Sequence, residues 1–301
     1  MANKLDQIRQ RMQSMDLVEI DKTFIGMIYG KVGAGKTTLT QWLAQVLAAG
    51  EPILYCDSAD GWVSLQNTPD LMENTTRIAI NEASELTVIA NALKNRSKGF
   101  EDFRVLVIDE LSSLAEEILE DVVRDRSGTA KDELLPEIEG KDYGPQGQII
   151  MSIVRNLKKV DNLHIILVAH SREKTDHRKV TTIYPQFPPL LGGNLQKLMH
   201  VTSYVTASVK ERKGKTTYER EVQSQPTALI LAKSRIGHMP VTCDFETYVN
   251  VIADWVEGDL AEEGTPSEQD DAPTELAADE LPTDGIPVAD TSEDDEPAYA
   301  D

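Results

Sequence analysis

The sequence predicts an α/β fold: a mainly parallel central sheet flanked by helices, a C-terminal antiparallel hairpin, and a disordered acidic tail. Three observations lead there. From residue 23 to about 256, short apolar runs alternate with stretches of helical periodicity. Such alternation implies parallel strands covered on both faces. A Gly-rich loop joins the first apolar run to the first helix. From Glu257 to Asp301 there are 17 Asp or Glu and no Lys or Arg, set among Pro, Thr, Ser and Ala. That segment buries too little apolar surface to offset the entropy of ordering.

The elements follow in order. Residues 3–15 read as a short polar helix within an N-terminal lead-in, 1–22. "TFIGMIY" (23–29) is a buried strand that Gly30 ends. Leu39, Trp42, Leu43, Val46 and Leu47 then recur at helical spacing, and Gly50 stops that helix. "PILYCD" (52–57) and "TRIAI" (76–80) are the next strands. Ser84 is placed to cap a helix with Leu86, Ile89, Ala90 and Leu93 inward. "RVLVIDE" (104–110) is a strand ending in carboxylates, followed by an acidic helix. Residues 145–160 set Ile149, Ile153, Leu157 and Val160 on one helical face, and "HIILVAH" (164–170) is another buried strand. "SYVTASVK" (203–210) and "TALILAKS" (227–234) flank the basic turn "KERKGK" and read as an antiparallel hairpin. The parse is one α/β domain over 23–256 and a tail over 257–301.

The net charge of −21 describes the tail. Without it, residues 1–256 hold 34 acidic against 30 basic residues, a balance of −4, so nucleic acid is not excluded as a partner. No apolar run approaches the ~18 residues of a membrane span, and the N-terminus lacks a signal-type apolar segment. Cys56 and Cys243 lack metal-ligand spacing and suit a reducing cytoplasm. The five histidines are scattered.

Gly30-Lys31-Val32-Gly33-Ala34-Gly35-Lys36-Thr37, followed by Thr38, satisfies G-x-x-x-x-G-K-[ST] between a strand and an amphipathic helix. In that setting the backbone N–H groups and the helix N-terminus cradle phosphates. Lys36 neutralises the β- and γ-phosphates of ATP, and the Thr37 hydroxyl serves Mg²⁺. Asp109, at the end of a buried strand, is the second element of the Mg²⁺ site. Glu110 is the first candidate to polarise the attacking water, and Asp60, just beyond the second strand, is its rival. His170 ends the strand at 164–170, where a polar side chain can sense a γ-phosphate.

This order of motifs resembles the P-loop NTPases of the RecA family over residues 23 to about 250. "EIEGKDYGPQGQIIMSIVRNLKKVDNLHIILVAHSREK" (137–174) is similar to the family's first DNA-binding loop, its helix and the sensor strand. "LLGGNLQKLMHVTSYVTASV" (190–209) is similar to the segment closing the second DNA-binding loop. "LAKSRIGHMP" (231–240) is similar to the late strand whose two cations reach a neighbouring protomer's nucleotide. With little before residue 23 and only the tail after about 256, the pattern looks most like compact RecA-like ATPases of phages, including single-strand annealing recombinases. A phage origin would place it in the host cytoplasm. Three positions depart from the family: Ala59 stands where an acid is expected, His170 replaces a glutamine, and Glu110 replaces a small residue.

Lys233 and Arg235 flank Ser234 and so share one face of a strand end. The resemblance implies that they contact a nucleotide at a subunit interface of a homo-oligomer, ring or filament. The segment from Ser171 to Asn194 reads as a long loop, carrying Arg172, Lys174, Arg178 and Lys179 for single-stranded DNA, with Tyr184 and Phe187 to stack on bases. The tail can compete with DNA for that basic surface or recruit a single-strand-binding protein or other basic partner. The expected function is a DNA-stimulated, Mg²⁺-dependent ATPase that assembles on single-stranded DNA and promotes annealing or strand exchange. A RecA-fold helicase or other DNA motor is the alternative. A regulatory switch ATPase acting through its acidic tail, without DNA, is the second.

Overall fold

A computed structural model of the chain describes residues 23–258, apart from 67, 176, 213 and 214. The expected lead-in helix and all of the tail beyond Gly258 lie outside the described residues. The elements run β1 (Ile25–Gly30), α1 (Lys36–Ala48), β2 (Ile53–Asp57), β3 (Thr75–Ala79), α2 (Ala83–Lys94), β4 (Val105–Asp109), α3 (Leu111–Ser127) and α4 (Tyr143–Leu157). There follow β5 (His164–Thr175), β6 (Thr181–Pro185), α5 (Pro189–Leu198), β7 (Val201–Arg212), β8 (Lys215–Gln223), β9 (Lys233–Ser234), β10 (Thr242–Cys243) and α6 (Phe245–Glu257). Among the described residues no helix is long and apolar enough to cross a membrane.

The sheet order is β10-β8-β7-β1-β5-β4-β2-β3. The six strands from β7 to β3 are parallel, while β8 and β10 extend the sheet antiparallel. Alternation along the strands makes two cores. Ile25, Met27 and Tyr29 of β1 face α2, α3, α4 and α5 with Leu106 and Ile108 of β4. Phe24 and Ile28 face α1 and α6 with Val105 and Val107. This double burial is why β1, β2 and β4 read as unbroken apolar runs.

Several expectations change at the element level. Helix α2 starts one residue before Ser84 and is capped by Glu82, which forms a reciprocal box with Glu85. In α4 the inward residues include Ile150, Ile153, Val154 and Leu157, whereas Ile149 is exposed. The hairpin exists, but β7 pairs with 215–223 rather than 227–234, in a register joining Arg212 to Lys215. Of the apolar 227–234 stretch only Lys233 and Ser234 form a strand, antiparallel to the start of β7.

The predicted long loop is also structured. β5 continues past the parallel core to Thr175 and folds back through β6, pairing Arg172 with Tyr184 and Lys174 with Thr182. The Gly192-Gly193-Asn194 segment lies inside α5. That helix forms because Pro189 sits in its first turn, where a missing N–H costs nothing. Leu191 and Leu195 then bury one face.

Candidate nucleotide site

The carboxyl ends of adjacent parallel strands are where open α/β sheets bind ligands. Here β1, β5, β4 and β2 bring Gly30, His170, Asp109 and Asp57 to one edge: Gly30 lies beside His170, and Asp57 beside Asp109. Above β1 the loop turns through Gly33 and Gly35, whose φ values of 78° and 96° suit residues without a Cβ. Gly35 caps α1 without any side-chain bond, and the first turn of α1 contains no acid. The unpaired N–H groups and positive end of the helix are therefore left for an anion. Val32 is exposed at the loop's tip, Ala34 is buried, and Thr38 is half-buried one residue beyond Thr37.

Lys36 is buried beneath this loop. Its Nζ donates to the Lys31 carbonyl and to His170 Nδ1, each at 3.4 Å, and lies 3.9 Å from Glu110 Oε2. Burial holds the ammonium below the ordinary lysine value, while Glu110 and Asp109 pull it back up. His170 Nε2 is 3.4 Å from Glu110 Oε2. Because Nδ1 accepts from an ammonium, the ring proton belongs on Nε2, facing the carboxylate. Ser112 completes the group: its hydroxyl donates to Glu110 Oε1 and accepts the His170 backbone N–H at 2.9 Å.

Beside this group, Thr37 Oγ1 donates to Asp109 Oδ2 at 3.0 Å. The Tyr55 hydroxyl donates to the same oxygen. Burial raises the Asp109 carboxyl above its usual range, and the Tyr55 and Thr37 bonds only partly offset this. A cation would relieve that buried charge. Gly61 keeps a side chain out of this corner: a Cβ there would fall 2.5 Å from Asp109 Oδ2 and 3.4 Å from Thr37 Oγ1. A hydroxyl and a carboxylate fit Mg²⁺, which favours oxygen donors and keeps water and phosphate as its other ligands. Among the described residues no group of three or more His, Cys, Asp or Glu could hold a metal ion by itself.

Other predicted residues are placed elsewhere. Asp60 is 87% exposed at its side chain and meets Arg77 at 3.4 Å, outside the Lys36–Glu110 cluster. The acid that turns inward there is Asp57, which accepts the Gly61 N–H at 3.0 Å and pairs with Arg77 at 2.8 Å. Lys233 donates to the carbonyls of Gln196 at 2.6 Å and Met199 at 3.3 Å, and Arg235 donates to that of Lys197 at 2.7 Å. Both cations thus cap the C-terminus of α5. They lie by Val201, opposite Gly26, at the end of the sheet away from the chain's own phosphate loop.

Arg172 stacks over the Tyr184 ring at 4.6 Å, and Lys174 is exposed two residues on. Arg178 and Lys179 fall in the connection to β6, also exposed. Phe187 is 1% exposed and belongs to the core with Leu191 and Leu195, so it is not available for stacking on a base. Sequence reasoning missed Tyr55, Ser112, Gly61 and the 2.7 Å pair between Lys31 of the phosphate loop and Glu173 of β5. Each depends on neighbours far apart in the chain.

A family model described as an AAA domain matches residues 22–236. No curated protein matches the chain. Among solved structures, the crystal structure of the RadB recombinase is similar at 15% identity over 66% of this chain and 86% of that one. Its TM-score of 0.35 carries no functional inference.

Proposed function

This chain belongs to the AAA-domain family, and from that premise we propose that it is an Mg²⁺-dependent ATPase that assembles on single-stranded DNA and promotes annealing or strand exchange. The phosphate loop, Lys36 and the α1 N-terminus hold the triphosphate. Thr37 and Asp109 would hold Mg²⁺, which when bound would supply charge neutralisation to the triphosphate. Glu110 accepts the proton of the attacking water, and His170 reports whether a γ-phosphate is present. Lys233 and Arg235 reach a neighbouring protomer's nucleotide when subunits assemble, exchanging their α5 carbonyl partners for phosphate oxygens.

One observation carries the DNA part of this reading. His170 touches both Lys36 and Glu110, and its strand runs unbroken into the hairpin that bears Arg172 and Lys174. That His170, Arg172 and Lys174 share one continuous strand supports coupling between the proposed γ-phosphate sensor and the proposed DNA-binding cations. The test is ATP hydrolysis with and without single-stranded DNA, together with strand annealing. Stimulated turnover, and salt-sensitive DNA binding that weakens when Arg172, Lys174, Arg178 and Lys179 become alanine, are the expected results. Hydrolysis indifferent to DNA, with no DNA binding, would refute the nucleic-acid role.

A further inference from the structure

Arg220 has no part in the site described so far. It lies on β8 opposite Ala207, two residues before Val222, and so shares a sheet face with it. Val222 packs in the core formed with α1 and α6. It pairs with Val205, which lies beside Gly30 at the end of β1. Two residues farther along the hairpin, Arg220 passes the edge of the parallel strands on the side where α1 begins.

There its Cδ and Nε both come within 3.0 Å of the position a Cβ on Gly35 would occupy, with Phe245 Cζ at 3.3 Å. Gly35 is the N-cap of α1. The guanidinium is exposed, and among the described residues it makes no hydrogen bond or ion pair. Glu219 and Glu221 alternate onto the opposite face of the strand. A cation is thus held against the positive end of a helix that has no acid in its first turn. This placement is electrostatically unfavourable by itself. An anion seated between them removes the conflict and can accept a charge-assisted bond from the guanidinium.

We propose that Arg220 is a phosphate-contacting residue of the nucleotide site, delivered by the β7–β8 hairpin to the diphosphate portion common to ADP and ATP. The proposal rests on the ATPase reading above. It adds a cis-acting cation from the antiparallel end of the sheet, separate from Lys36 and from the trans role given to Lys233 and Arg235.

The test uses the full chain with fluorescent ADP and ATP analogues in Mg²⁺, comparing wild type, Arg220→Ala and Arg220→Lys. Loss of a charge-assisted bond predicts affinity for both nucleotides falling by roughly 10-fold or more in Arg220→Ala. Arg220→Lys recovers part of that loss. Thermal melting without nucleotide stays at the wild-type value, while the nucleotide-induced rise in melting temperature shrinks. Wild-type affinity in Arg220→Ala overturns the proposal. So does a lowered apo melting temperature with no recovery by lysine, which marks a structural role. Failure of the wild type to bind either nucleotide overturns the ATPase reading instead, a result distinct from both.

Discussion

Replacing Glu110 by glutamine keeps the side chain's shape and its bond from Ser112 but removes the charge facing Lys36 and His170. The Lys36–Glu110 separation is 3.9 Å, with both side chains less than a tenth exposed. At an effective dielectric near 20, unit charges at that distance attract by about 4 kcal/mol. Without nucleotide, Glu110 therefore offsets much of the cost of burying Lys36; with nucleotide, the γ-phosphate competes for the same ammonium. Glu110→Gln should leave nucleotide affinity unchanged or tighter. Loss of a general base lowers turnover by about 10²- to 10⁴-fold, or roughly 3–5 kcal/mol on the barrier. The assay is phosphate release at saturating Mg-ATP, paired with a direct binding titration. Asp60→Asn is the control: an exposed acid whose ion pair among the described residues is with Arg77 should change turnover by less than about twofold. If Glu110→Gln stays within roughly threefold of wild type while Asp60→Asn falls steeply, the hydrolytic base is Asp60 and the reasoning fails.

Two further outcomes follow from the same geometry. Burial gives Asp109 a folded-state pKa above its unfolded value, so the folded chain holds that proton more tightly. Its contribution to stability is full below the ordinary carboxylate value and is lost as pH rises through the raised one. Asp109→Asn should therefore melt higher than wild type at neutral pH and lose that advantage in acid, while losing Mg-ATP stabilisation and turnover; a lower neutral-pH melting point would contradict this. Lys233→Ala removes a cation from the α5 C-terminus and should lower stability by about 1 kcal/mol in urea unfolding. If DNA-stimulated hydrolysis survives in that variant, Lys233 has no role across a subunit interface.

The parts of this chain that were legible beforehand are those whose meaning is local. Gly30 to Thr37 carries its own turn chemistry, and Asp109 is marked by the apolar strand it ends. Glu110, His170 and Ser112 meet only because β5 lies between β1 and β4, an order no local pattern encodes. The misplaced hairpin partner has a physical cause. Leu229, Ile230 and Leu231 look strand-like because they are apolar, yet β8 is an edge-side strand whose residues Glu219, Arg220 and Glu221 are polar and exposed. The overlooked signals were β-branched and aromatic residues at Thr181, Thr182, Ile183 and Tyr184, and at Thr216, Thr217 and Tyr218. Charged neighbours obscure that pattern in the first stretch, and the preceding Lys213-Gly214-Lys215 sequence obscures it in the second.

On the proposed ATPase reading, the unbroken course of β5 is the route by which a signal would leave the phosphates. Its first half is clamped between β1 and β4, while the half beyond His170 pairs with β6 and is braced at Glu173 by Lys31. The five residues past His170 form a beam about 17 Å long. If His170 senses a γ-phosphate as proposed, a small shift at its imidazole would be carried along this strand towards Thr175, past the Lys31–Glu173 pair. On that reading the signal would pass as a tilt of one strand, with no segment having to order or melt.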